Sequence, residues 1–261
     1  MDNDAIIATA HAMADAARAV VLPYFRTLDL SAENKSVSGF DPVTAADKAA
    51  ERAMIEVLRA HRPDDAVLGE EFGEVAGTSG LTWVIDPVDG TRAFLSGTPT
   101  WGVLVSVRDQ SGPLYGLIDQ PYIGERFEGG FGLSQMTGPQ GARPLAVRGP
   151  RPLADAILFS TFPEVGTSEE AAAFRRVAQA VQLVRYGMDC YAYALLAAGQ
   201  IDLVIEAGLQ AYDIQAPIAV IEAAGGIVTN WQGGPAHEGG RVLAAADRVQ
   251  HAAALKLLAD V

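Results

Sequence analysis

Two aspartates, Asp86 and Asp89, stand three residues apart in the stretch Leu81 to Gly102, LTWVIDPVDGTRAFLSGTPTWG. They follow a short apolar, β-favouring run, Trp83-Val84-Ile85, which is expected to stop at Asp86-Pro87 and open into a loop at Gly90. Carboxylates in a rigid loop suit a hard cation, because Mg²⁺ takes oxygen ligands in a near-octahedral frame. Gly90, Thr91 and Arg92 then offer backbone N–H groups, a hydroxyl and a guanidinium, all of which suit a phosphate. Alone, D-P-x-D is usually an Asx/Pro turn capping a strand. Three further acids change the balance. Glu70 lies in GEEFG (69–73), after a short strand pattern. Asp213 opens a helical pattern, where an ordinary cap would also explain it. Asp47 falls in the first turn of another helix, where a stabilising acid is the commoner role. Each acid has its own structural explanation; together they form a constellation.

These acids need elements to position them. The apolar spacing predicts a helix over Asp4 to about Thr27 with Pro23 inside it, and a second from Thr44 to about Ala60. Between them, Glu33 to Phe40 reads as a polar loop carrying Lys35. Ala66 to Leu68 reads as a strand and Glu74 to Gly80 as a surface loop. Segments 102–108, 113–119 and 125–130 suggest an antiparallel meander, and 135–143 a Gly/Pro/Gln loop. After GPRP (149–152) the pattern changes. Strands are expected at 157–160, 181–185, 202–206, 227–229 and 241–245. Helices are expected at 168–180, 188–198, 213–224 and 247–260, an alternation that indicates an α/β layer.

Composition narrows the class. The chain has 261 residues, 49% hydrophobic and 20% charged, which suits one large or two closely packed domains. A net charge of −13 argues against nucleic acid or an anionic membrane as partner. The 19 basic residues form no cluster, so a phosphate ester would find its positive charge in bound metal. A single cysteine, Cys190, excludes an intrachain disulfide and reads as a small core residue. His11, His61, His237 and His251 lack zinc-ligand spacing. The acidic amphipathic N-terminus lacks the basic start of a signal peptide, and no apolar run is long enough to span a bilayer. A cytoplasmic enzyme is the expectation. With no nucleophile elbow, no P-loop and no evident catalytic histidine or cysteine, water is the expected nucleophile, without a phosphoenzyme.

Four motifs, in order, carry a resemblance that covers essentially the whole chain: FDPVTAAD (40–47), GEE (69–71), WVIDPVDGTRAF (83–94) and YDIQAPIAVIEAAGG (212–226). The sequence resembles the inositol monophosphatase-like family of Mg²⁺-dependent, lithium-sensitive phosphatases. GLIDQPYIGERFEG (116–129) and RYGMDCYAYALLAAGQIDLVIEAGLQAYD (185–213) look most like its histidinol-phosphate phosphatase branch, and LSGTPTWGVLVSV (95–107) agrees less distinctively.

The resemblance implies an α+β protein, a layered αβαβα sandwich with an α+β half over 1–145 and an α/β half over 146–261. It also implies a homodimer and two or three Mg²⁺ per site. Glu70, Asp86 and the Val88 carbonyl would hold one ion; Asp86, Asp89 and Asp213 would hold a second. Gly90 and Thr91 would present N–H groups to the phosphate. Asp47 and Thr91 would share a hydrogen-bond chain to the attacking water, with Glu70 near it. Glu206 and Asp189 would face the organic end of the substrate, where two carboxylates suit an amine and an imidazole; otherwise they are a strand end and an N-cap. Arg92 replaces the lysine of many relatives and would reach the phosphate or a carboxylate across the dimer. A third metal near Asp47 would order the loop carrying Lys35.

The substrate expected is thus L-histidinol phosphate, in histidine biosynthesis. Inositol 1-phosphate or other sugar phosphates stand second, and a phosphoadenosine substrate lacks any adenine-stacking or basic signature. A regulatory protein retaining the fold is the rival from another class. Loss of a metal ligand would favour it, and none is lost.

Overall fold

The computed structural model describes residues 2–28, 32–34 and 42–259. Lys35 and its loop closure lie outside the described residues. Helix α1 (Asn3–Val21) is capped by Asp2, whose carboxylate accepts the Ala5 N–H at 3.1 Å. It ends earlier than the spacing predicts, because Pro23 offers no N–H to continue the ladder. Strands β1 (Ala32–Asn34) and β2 (Pro42–Thr44) pair antiparallel where a loop was expected to begin. Thr44 and Asp47 then form a reciprocal capping box at the start of α2 (Ala45–His61).

The next eight strands build one sheet: β3 (Ala66–Gly69), β4 (Gly73–Val75), β5 (Thr82–Asp89), β6 (Gly102–Asp109), β7 (Gly112–Gln120), β8 (Glu125–Gly130), β9 (Leu133–Gly138) and β10 (Gly141–Pro144). Their order is β10-β9-β8-β7-β6-β5-β3-β4, with β3 and β5 parallel and the other pairs antiparallel. Three expectations need correction. The segment 135–143 is the hairpin β9–β10, and Gly73–Val75 is an exposed edge strand. A six-residue helix α3 (Thr91–Ser96) follows β5 directly.

The second half supplies β11 (Ile157–Ser160), α4 (Ser168–Ala178), β12 (Leu183–Tyr186), α5 (Tyr191–Ala197), β13 (Leu203–Leu209), α6 (Ala211–Ala223), β14 (Ile227–Thr229), β15 (Gly240–Ala245) and α7 (Arg248–Leu258). Its five strands run in the order β12-β11-β13-β15-β14.

Side-chain alternation, period two along a strand, produces the layers. Val103, Val105 and Val107 of β6 join α1 and α2 in one core, while Leu104 joins α5 and α6 in another. Val204 and Val242 reach that middle core from the second sheet, while Leu203, Ile205 and Leu243 face α4 and α7. The result is helices, sheet, helices, sheet, helices: an α+β sandwich of the αβαβα type. Helix α6 is buried nearly all round, as expected of a helix between two sheets. It lies close on β7 because Gly116 has no side chain; a Cβ there would sit 2.4 Å from the Ala216 carbonyl oxygen.

Candidate active site

Asp86 and Asp89 are three apart, so an unbroken strand would send them to opposite faces. The strand does not stop at Asp86, as the sequence suggests; β5 continues to Asp89 through a bulge. Asp86 pairs with Leu104 and Asp89 with Gly102, leaving one extra residue on β5. That extra residue turns both carboxylates to one side. The Asp86 carboxylate also accepts the Val88 N–H at 3.0 Å, which holds the bulge.

Asp213 comes to the same place from α6. It is the third residue of that helix and accepts the Gln210 N–H at 2.6 Å. Its capping role and its place in the cluster are therefore the same placement, not alternatives. One ligand oxygen from each of Asp86, Asp89 and Asp213 lies within 4.8 Å of the other two. Glu70 and Val88 line the same cavity. Burial pushes Asp86 and Asp89 well above the carboxylate range, and their acidic neighbours add to this: Glu70, Asp89 and Asp213 for Asp86, Asp213 and Asp189 for Asp89. Carboxylates facing each other in this way keep their charge at neutral pH more readily when a countercharge joins them. The all-oxygen set of Asp86, Asp89 and Asp213 fits a hard divalent cation such as Mg²⁺ better than a soft or imidazole-preferring metal.

Glu70 is held in place by a residue the sequence reading passed over. Glu51 of α2, fully buried, accepts the N–H groups of Glu71 at 2.7 Å and Phe72 at 3.0 Å. A charge on the apolar stripe Ala46–Ala50–Met54 was the available signal.

Beside the acids, Gly90 takes φ +86°, a left-handed conformation costly for other residues, and α3 begins at Thr91. The Thr91 hydroxyl lies 3.2 Å from the Val88 carbonyl oxygen and 3.3 Å from Asp47 Oδ1. Asp47 is buried and reaches the cavity only through Thr91; its other oxygen accepts from Thr44 N at 3.0 Å and Thr44 Oγ1 at 2.5 Å. Burial raises its pKa, the Thr44 hydrogen bonds oppose the rise, and Glu70 adds to it.

Two other carboxylates, Asp189 and Glu206, line the same cavity. Asp189 is not an N-cap: α5 starts two residues later, and Asp189 sits at φ +47° with its carboxylate accepting the Thr100 hydroxyl at 2.7 Å. It packs against Gly90, where a Cβ would fall 2.7 Å from Asp189 Cγ. Glu206 is not an exposed strand end either. β13 runs past it to Leu209, and the residue is only 7% exposed. Its carboxylate accepts from Thr161 N at 2.6 Å, Thr161 Oγ1 at 2.9 Å and Ser160 Oγ at 3.3 Å. Burial nevertheless pushes it up to about 7. Arg92 sits at the mouth, its guanidinium 4.8 Å from the Phe162 ring centre. Cys190 is a buried residue as expected, and its N–H also donates to Asp89 at 2.6 Å. Apart from Asp47, all the acids and loop residues named from the sequence line one cavity of about 290 Å³, with Thr161, Phe162 and Tyr193 added.

The chain has relatives among known proteins. Residues 2–261 match the inositol monophosphatase family. The chain is 39% identical over 232 residues to the bifunctional phosphatase IMPL2, chloroplastic, of Arabidopsis thaliana, covering 88% of this chain but 65% of that one, so it spans just under two thirds of that relative. It is 34% identical to a histidinol-phosphatase of Streptomyces coelicolor, covering 92% of each. Among solved structures, an inositol monophosphatase from Zymomonas mobilis superposes with a TM-score of 0.87 at 34% identity, covering 99% of each chain. The site and the match along its whole length together show that the chain belongs to the inositol monophosphatase family.

Proposed function

We propose that this protein is a Mg²⁺-dependent phosphatase that hydrolyses L-histidinol phosphate to L-histidinol and phosphate, a step of histidine biosynthesis. One observation carries the substrate choice. Asp189, packed against Gly90, and Glu206 both line the cavity wall, and neither is paired with a Lys or Arg among the described residues. Carboxylates accept hydrogen bonds and attract cations, so this wall suits an ammonium and an imidazole better than a neutral polyol.

Glu70, Asp86, Asp89, Asp213 and the Val88 carbonyl would hold the metal, two or three ions per site. Bound metal would neutralise the phosphate and acidify a water. The chain's own groups do the rest. Thr91, hydrogen-bonded to Asp47, orients the attacking water, and Glu70 stands near it. The N–H groups of Gly90 and Thr91, with Arg92 at the mouth, hold the phosphate in line. Water attacks directly, so rapid quenching with ³²P-labelled substrate traps no covalent phosphoenzyme. A cytoplasmic homodimer with a subdomain boundary near residue 146 completes the proposal; light scattering on the purified protein tests the dimer.

The Zymomonas mobilis structure favours inositol 1-phosphate as the second reading, since its 34% identity equals that of the histidinol-phosphatase. The deciding measurement is kcat/KM on L-histidinol phosphate against myo-inositol 1-phosphate, and a preference for the inositol ester sinks the first reading. Rescue of a histidine auxotroph by the wild type, but not by Asp89→Asn, separates catalysis from a regulatory role.

A further inference from the structure

Tyr193 lies in α5, lines the cavity beside Glu206 and Cys190, and is 4% exposed. Its hydroxyl has no hydrogen-bond partner among the described residues. The fold satisfies comparable phenols elsewhere: Tyr115 donates to Glu128 at 2.6 Å and Tyr191 to Glu125 at 2.7 Å. Leaving a buried hydroxyl unmatched is unfavourable, and phenylalanine would fill the same space without that cost. Tyrosine at this position makes physical sense when a ligand supplies the missing partner.

The surroundings say what partner. The charged groups that act on this phenol are Glu206, Asp89 and Asp213, all acids, and with burial they keep it protonated. A neutral oxygen in a cavity that Glu206, Asp89 and Asp213 also line is a place for a cation that can donate hydrogen bonds. The substrate proposed above carries one in register. Its ammonium is on the carbon next to the ester-bearing carbon, so it sits near the metal cluster whenever the phosphate does. We infer that the Tyr193 hydroxyl accepts a hydrogen bond from that ammonium while Glu206 supplies the opposing charge, making Tyr193 a specificity-determining residue. The inference rests on the histidinol phosphate reading and goes beyond it by placing the amine.

The test compares wild type and Tyr193→Phe, both loaded with Mg²⁺, on L-histidinol phosphate, on its des-amino analogue 3-(imidazol-4-yl)propyl phosphate, and on myo-inositol 1-phosphate. The expected result is a loss of kcat/KM on histidinol phosphate about tenfold larger than on the des-amino ester, carried mainly by KM. The melting temperature of the metal-free variant should equal or exceed that of wild type, because the hydroxyl has no partner to lose. Equal losses on both imidazole esters, no loss on either, or a lowered melting temperature overturns the Tyr193 assignment alone. A wild type that prefers the inositol ester instead sinks the substrate reading, and the amine contact falls with it.

Discussion

The Thr91 hydroxyl stands between two acceptors, 3.3 Å from Asp47 Oδ1 and 3.2 Å from the Val88 carbonyl oxygen. It has one proton, so donating to either acceptor leaves its lone pairs to accept a hydrogen bond from water in the cavity. Asp47 cannot swing away, because Thr44 holds its other oxygen through two hydrogen bonds. Thr91→Ala should therefore lower kcat by about 10²–10³ with little change in KM, and Thr91→Ser should keep most of the rate. Steady-state kinetics at saturating Mg²⁺ decides; an alanine variant within threefold of wild type removes Thr91 from the reaction.

Asp89 sits close to Asp86, Asp213 and Asp189 in a buried site, and its pKa is raised accordingly. A carboxyl raised in the folded state contributes stability at low pH and loses it as pH rises through the folded value. The metal-free protein is thus expected to be destabilised at neutral pH by its own acids. Asp89→Asn should raise the melting temperature of the metal-free protein at pH 7 by several degrees. The same change should abolish the further rise that Mg²⁺ gives the wild type. Differential scanning calorimetry with and without Mg²⁺ reads both effects. A variant still stabilised by Mg²⁺ like the wild type would place the ion elsewhere.

Much of this was legible in the chain, for local reasons. Pro87, Gly90 and the acid spacing are written within ten residues, and the strand–helix alternation after residue 150 follows from periodicity alone. What was not legible depends on pairing partners. The β5 bulge exists only relative to β6, so the sequence suggests a strand end where the strand in fact continues with one residue too many. Asp189 precedes a helical pattern and so resembles a cap, but Thr100, 89 residues away, claims its carboxylate. The hairpin β9–β10 hides in a Gly/Pro-rich segment because its strands are short and its outer strand exposed. Glu51 and Tyr193 were missed because a charge on an apolar stripe and an aromatic residue in an alanine-rich helix have meaning only once their neighbours are known.

Gly90 offers a test of the cavity's shape. Its φ of +86° disfavours any side chain, and a methyl group would press on Asp189 Cγ at 2.7 Å. Gly90→Ala should cost about 1–3 kcal/mol of stability and displace the Asp189 carboxylate. KM for histidinol phosphate should then rise more than that for p-nitrophenyl phosphate, whose leaving group carries no cation. Equal effects on the two substrates would mean that Asp189 does not touch the leaving group.

Glu206 gives the pH dependence of the reaction a distinctive sign. Burial lifts its carboxyl to about 7 despite hydrogen bonds from Thr161 and Ser160 that favour the charged form. Below that value the group is neutral and attracts a cation weakly; above it the carboxylate is charged. The kcat/KM of wild type on histidinol phosphate should therefore climb through about pH 7. Glu206→Gln should flatten that limb and keep the low-pH activity. The substrate's own imidazole titrates nearby, so the difference between variant and wild type is the informative quantity, not either profile alone. Stability carries the opposite sign: the unfolded chain ionises Glu206 near its ordinary 4.5 and the folded one only near 7. Its contribution to stability is therefore complete at low pH and falls as pH rises through that window. Glu206→Gln should gain melting temperature relative to wild type between about pH 5 and pH 8. Parallel pH profiles of kcat/KM for the two proteins would show that the Glu206 charge does not select the substrate.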